Sequence, residues 1–182
     1  IANQNWSAAI ETLLNLRKGD PNYQAVQVDG MLYIAFRNRG VDKILRQADL
    51  EGGMYDLAVA GRIGPLDADA QSYETWARIY ITGASFWELN WGEAVYYFAQ
   101  VAPALPNLMD GSRMTAAERY RLALIGYGGF LGENKEWCAA AEQYQLALSL
   151  GADPEVEQQL DFALEQCTGG SDEDEEGDPG AV

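Results

Sequence analysis

The chain has 182 residues, 48% of them hydrophobic, which is enough for one ordinary domain with a substantial core. Its formal net charge is −16, and its 12 basic residues are scattered, Arg17–Lys18 and Arg37–Arg39 being the densest pairs; nucleic acid is set aside as a partner, because phosphate contacts need clustered Lys and Arg. Histidine is absent, and with it go the commonest general base and the commonest transition-metal ligand, so no catalytic set, no cofactor and no metal is expected. No apolar run approaches the roughly eighteen residues of a membrane span, and no basic-then-apolar leader opens the sequence. The first residue is Ile1 and not Met, so any anchor or export signal would lie upstream.

Taken in chain order, the first element is a helix carrying Trp6, Ala9, Leu13 and Leu16, with Pro21 beyond it. The intervals of three, four and three place these side chains on one helix face, and proline ends a helix because it lacks an amide hydrogen and clashes with the preceding turn. A second helical pattern, Leu32, Tyr33 and Phe36, runs up to Gly40. The first spacing then returns as Leu50, Gly53, Leu57, Ala60 and Pro65, followed by Trp76, Ala77, Ile79 and Tyr80 running up to Gly83. It returns again as Trp91, Ala94, Phe98, Val101 and Pro106. Thr115, with Glu118 three residues on, is a capping box that opens the next helix, where Tyr120, Leu124, Tyr127 and Leu131 run up to Gly132. Trp137, Ala140, Tyr144 and Ala147 give the spacing a fourth time, its proline displaced to Pro154. Asp153 and Pro154 read as the cap and first residue of a last helix, whose Val156, Leu160, Ala163, Leu164 and Cys167 form one stripe. Glycine at the ends of the intervening helices fits a left-handed C-terminal stop. Residues 168–182 carry six acids and one valine, and read as a disordered acidic tail.

A glycine-terminated first helix alternating with a second helix that bears the aromatic, small, aromatic, small, proline series resembles the tetratricopeptide repeat family. The resemblance covers roughly residues 5–166 and implies an all-α, right-handed solenoid of antiparallel helix pairs over residues 1–167, closed by a C-terminal capping helix. Pro21, Pro65 and Pro106 stand 44 and 41 residues apart, longer than the family's period of about 34, and the excess falls in the first helices and their exits. The first repeat is present only as its second helix, which implies either that a partner helix has been cut off or that Trp6 and Leu13 are covered by something outside this chain, such as another chain packed on the incomplete repeat; an exposed apolar face is expected around Ile10, Leu13 and Leu14. The function implied is a non-catalytic scaffold for a protein or peptide; an accessory subunit of a larger extracytoplasmic, membrane-associated assembly is the alternative. In this family first helices line the partner groove, which here selects Arg37, Asn38, Tyr73, Tyr80, Arg119, Leu122 and Phe130, unless these merely cover neighbouring helices.

Four further features carry their own expectations. Antiparallel packing of the last two helices would bring Cys138 beside Cys167, either as a disulfide or as two free buried thiols. The disulfide points to a secreted, periplasmic or membrane-anchored extracytoplasmic location, the thiols leave the cytoplasm open. The glycines at 126, 128, 129 and 132 close a helix with no strand before it, so they permit close helix contact and do not form a dinucleotide fingerprint. Asp67 and Asp69 are read as helix caps or loop residues. Trp87 is surplus to the periodic pattern, and either anchors another chain or fills a gap left by an overlong first helix.

Overall fold

The computed structural model describes residues 5–169. These residues form α1 (Trp6–Gly19), α2 (Ala25–Asp42), a π-turn (Lys43–Gln47), α3 (Leu50–Ile63), α4 (Ala68–Ser85), α5 (Trp91–Ala104), α6 (Ala116–Glu133), α7 (Trp137–Leu150) and α8 (Pro154–Gly169). The chain is all-α as expected: among the described residues the only β feature is an isolated bridge between Met109 and Thr115. The helices alternate in length. α1, α3, α5 and α7 have 14 residues each and α2, α4 and α6 have 18 each. The chain divides into two compact units, one containing the residues up to Thr82 together with Val101–Ala116, the other containing Gly83–Gln100 and the residues from Ala117 onward.

In the first unit, Asn5 starts α1 by accepting the Ala8 amide at 3.1 Å, and Asp49 starts α3 by accepting that of Gly52 at 3.0 Å, which satisfies amides that a helix start leaves unpaired. Ile10, Val28, Leu32, Ala35, Phe36 and Ala60 pack into one core, with Trp6 and Leu13 partly buried against it. This corrects the expected exposed face of α1: Ile10 is buried, and the apolar side chains left in solvent are Leu14 and Leu16.

Gly40 does not end its helix. α2 continues through it to Asp42 and on into the π-turn, because Gly40 is where α2 touches α3. A Cβ at Gly40 would lie 2.8 Å from the Gly53 carbonyl oxygen and 2.9 Å from Leu57 Cγ. The left-handed residues that redirect the chain toward α3, α5 and α7 are instead Ala48, Glu88 and Lys135, with φ of 59°, 60° and 64°. α3 also carries Asp56, which is completely enclosed. Arg39 meets it with two hydrogen bonds of 2.7 Å, and Lys43 Nζ lies 3.1 Å away. A buried carboxylate requires such partners.

In the second unit, Leu124, Leu131, Ala140, Ala141, Tyr144, Ala147, Val156 and Ala163 form the core. Two close approaches resemble that of α2 and α3. A Cβ on Gly83 would lie 3.1 Å from the Phe98 ring, and one on Gly128 would lie 2.6 Å from the Tyr144 ring. The glycine cluster therefore permits close helix contact, as its sequence context implied. Trp87 takes the gap-filling role: it packs edge-on against Trp91 and Phe98 at centroid distances of 5.1 and 6.3 Å. Cys138 at the start of α7 and Cys167 near the end of α8 are disulfide-bonded, with Cα atoms 4.9 Å apart, which makes these helices antiparallel. α8 extends to Gly169, so Thr168 is helical; the remainder of the expected acidic tail lies outside the described residues.

Two glycines of α2 give opposite expectations. Gly30 has nothing within 4 Å of an added Cβ, so Gly30→Ala should stabilise by about 0.5–1 kcal/mol through the helical preference of alanine. Gly40→Ala forces a methyl into backbone and should destabilise by about 1–3 kcal/mol. Urea denaturation of the two variants checks the sign. In the second unit, the loop closed across 29 residues should contribute roughly 3–4 kcal/mol in the chain-entropy model, read as the loss of unfolding free energy in a Cys138→Ser, Cys167→Ser double variant.

Candidate functional site

The residues expected to line a partner groove separate into three groups. Arg37 and Asn38 lie together on α2. The Arg37 Nε and Nη2 atoms donate to the two Asp67 carboxylate oxygens, both at 2.8 Å, and Nη1 donates to Asn38 Oδ1 at 3.2 Å. Asp67 also accepts the Ala70 amide at 3.1 Å, which makes it the cap of α4. The Arg37 hydrogen bonds, helped by that amide, hold the Asp67 carboxyl well below the usual carboxylate range, and the same bonds raise the Arg37 pKa. Arg37 is thus already engaged by its own chain, and what it offers a partner is the edge of a fixed guanidinium.

The second group is withdrawn from the surface. Tyr80 is 0% exposed and its hydroxyl donates to the Met114 carbonyl, so it ties α4 to the 105–115 segment and cannot line a groove. Arg119 is 6% exposed; its guanidinium stacks on Trp87 at 4.8 Å and near Phe98 at 5.8 Å. Both are core residues. In the third group, Leu122 and Phe130 lie on α6 with substantial exposure, and Phe130 stacks on Tyr127 at 6.4 Å. Tyr73 on α4 is half-buried.

The more continuous exposed surface is on α2 and was not anticipated. Met31, Ile34, Asn38 and Val41 of α2 and Leu45 of the π-turn recur at intervals of three, four, three and four, a second stripe beside the face of α2 that buries Val28, Leu32, Ala35 and Phe36. Met31, Ile34 and Leu45 are 46%, 52% and 40% exposed. At its C-terminal end the stripe opens into a cavity of about 220 Å³ lined by Trp6 of α1 together with Arg37, Asn38, Val41, Asp42, Leu45 and Arg46. A shallower hollow of about 470 Å³ lies between Val26 and Gly30 of α2 and the residues Ile63, Gly64 and Pro65 at the end of α3.

Charge is distributed just as unevenly. Residues 1–47 contain six basic side chains (Arg17, Lys18, Arg37, Arg39, Lys43 and Arg46) and four acidic ones (Glu11, Asp20, Asp29 and Asp42), a net +2, leaving −18 on the rest of a chain whose total is −16. The stripe and its cavity therefore occupy a net-positive stretch. Among the described residues there is no group of three acidic or cysteine side chains placed to hold a metal ion, and no helix is long and apolar enough to cross a membrane. Compared with protein-family models, curated proteins and solved structures, the chain finds no match.

The Arg37–Asp67 pair makes a pH prediction. The folded pKa of Asp67 lies below its unfolded value of about 3.9, so its stabilisation is complete above that pH and is lost as pH falls through the folded pKa. Because the Asp67 side chain is 45% exposed, solvent screening keeps the contribution below about 1 kcal/mol. The stability gap between the protein and Asp67→Asn should be present at pH 7 and shrink steadily below about pH 4 in urea titrations; a gap that does not vary with pH would show that the pair contributes nothing through its charge.

Proposed function

We propose that the chain is a non-catalytic scaffold that binds a protein or peptide, built as a right-handed solenoid of antiparallel helix pairs of tetratricopeptide type with elongated first helices and a C-terminal capping helix. The alternation of 18- and 14-residue helices supports that reading, as do the three glycine contacts. So does the way the periodic series of apolar slots falls on buried positions from α3 onward. The observation that carries the binding role is the exposed stripe of Met31, Ile34 and Leu45 leading to the cavity beside Trp6. Contiguous apolar surface on a soluble face marks an interaction site more often than scattered single residues do, and large side chains around a concave hollow are what a partner's anchor residues require.

A location outside the cytoplasm, whether secreted, periplasmic or anchored at the outer face of a membrane, is supported by the Cys138–Cys167 disulfide, since such bonds persist in oxidising compartments. The same bond, with the incompletely covered α1, favours the second reading, in which the chain is an accessory subunit of a larger extracytoplasmic assembly.

Affinity capture from native extract compares the protein with an Ile34→Glu, Leu45→Glu variant and with Phe130→Glu. Under the scaffold reading one defined partner is recovered by the unaltered protein and reduced at least ten-fold by the α2 substitutions, while circular dichroism shows both variants folded. Recovery unaffected by either change would remove the exposed helix faces as the binding surface.

A further inference from the structure

Among the glycines inside the described helices and not at their ends, Gly30 alone has nothing within 4 Å of an added Cβ. It lies within α2, where a right-handed helical backbone has no need of glycine and is weakened by it. The architecture does not call for it either. Ten residues before the crossing glycines Gly40, Gly83 and Gly128 stand Gly30, Tyr73 and Glu118, so the same register in α4 and α6 carries large side chains. What sets Gly30 apart is that it lines the hollow of about 470 Å³ at the end of α3. The missing side chain leaves the α2 backbone open to close approach there, which is the use of glycine beside a ligand.

The volume is within the roughly 300–1,000 Å³ of ligand cavities, and the lining defines the chemistry. Val26, Ile63 and Pro65 supply apolar surface, Tyr33 supplies an aromatic one, and Asp29 is the one charged residue; no basic side chain lines the hollow. Tyr33 is fixed, because its hydroxyl donates to the Pro65 carbonyl at 2.8 Å and its ring lies against Gly64. Asp29, four residues earlier, is its neighbour on the helix surface. The Oδ1 atom of Asp29 accepts from Arg17, and Oδ2 has no partner among the described residues.

The corresponding junction of α6 with α7 is closed by a cation of the chain itself. Arg121 stands seven residues before Gly128, as Tyr33 stands seven before Gly40, and donates to the Gly151 carbonyl at 3.3 Å and to Asp153 at 2.8 Å. With tyrosine in that register, the α2 hollow offers a carboxylate oxygen and an aromatic face and brings no cation to them. Ammonium groups bind both. The chain's net charge of −16 also favours a cationic ligand over an anionic one.

We propose that the hollow between α2 and the end of α3 is a binding site for a small organic amine, with an aromatic or branched apolar body over Gly30 and an ammonium group held by Asp29 and Tyr33. The site is distinct from the stripe of Met31, Ile34 and Leu45, and it does not depend on the scaffold reading.

The probe is phenethylamine, with phenethyl alcohol as its neutral counterpart and phenylacetate as its anionic one, each titrated into the protein while amide chemical shifts are followed by NMR. Phenethylamine should bind saturably with a Kd of about 5 mM, moving the amides around Gly30 and Gly64 and leaving those around Phe130 in place. The alcohol should bind at least three-fold more weakly, and phenylacetate should not bind. Gly30→Leu fills the hollow with a good helix former and should abolish saturation. Asp29→Asn keeps an acceptor for Arg17 and should remove the difference between amine and alcohol. In the unaltered protein the proposal is overturned by no saturation below about 50 mM, by shifts with no focus at Gly30, or by phenylacetate binding as well as the amine. Saturable binding that persists in a Gly30→Leu variant shown by circular dichroism to be folded overturns it as well.

Discussion

Three times among the described residues an 18-residue helix reaches the helix after it through a glycine, and the spacing of the packed helices depends on that contact. Leu57, Phe98 and Tyr144 lie where a Cβ on Gly40, Gly83 or Gly128 would approach within 2.6–3.1 Å. Removing one methyl from each crossing lets two backbones come together without displacing the large side chain from its rotamer. Each glycine has a cost in helix propensity of about 1 kcal/mol. Burial of a leucine or aromatic side chain, about 1.5–3 kcal/mol, offsets it. The size of the opposing side chain varies, and the glycine absorbs the variation: an aliphatic residue serves at α3, and rings serve at α5 and α7.

A second device recurs on the polar side. Arg37 is clamped to Asp67, which caps α4, and Arg121 of α6 donates to Asp153 at 2.8 Å and to the Gly151 carbonyl at 3.3 Å, while Asp153 caps α8 through the Glu155 amide. In both cases one carboxylate serves a helix start and an arginine at once, and the pKa of each aspartate is lowered chiefly by its arginine. The Asp56 cluster differs, because that carboxylate is sealed from water and depends on Arg39 and Lys43 for compensation. With Arg17 bound to Asp29 as well, much of the small basic complement is engaged internally, and the outer surface is left strongly acidic.

The sequence revealed which helix faces meet, and much less about how deep each residue sits. The slots of Trp91, Ala94 and Phe98, the stops after Leu16 and Ala60, the cap at Asp153 and the Cys138–Cys167 pairing all follow from periodicity or local chemistry, and all are present. Gly40 was misread because glycine before a loop and glycine at a helix crossing leave the same trace; only the neighbouring carbonyl of Gly53 separates them. Tyr80 and Arg119 were placed on a groove because the family resemblance assigns it to the first helices, and that assignment does not reveal that Met114 or Trp87 will cover them. The α2 stripe was legible and was missed. Met31, Ile34, Val41 and Leu45 keep helical intervals, and a helix apolar on two faces was the available signal that one of them serves something other than the core.

The outer helices of the described chain are finished alike in one respect. α8 turns Val156, Ala163 and Cys167 toward α7 and presents Glu157, Gln158, Gln159, Asp161 and Glu165 to water, the polar outer face expected of a helix that ends an array. α1 likewise presents Ser7, Glu11, Asn15 and Lys18 to water. It buries Ile10 against α2, leaves Leu14 and Leu16 in solvent, and keeps Ala9 and Leu13 half covered. α8 does the same with Phe162 and Leu164, 52% and 39% exposed, so apolar side chains in solvent are common to both outer helices, and the leucines of α1 do not by themselves call for a cover.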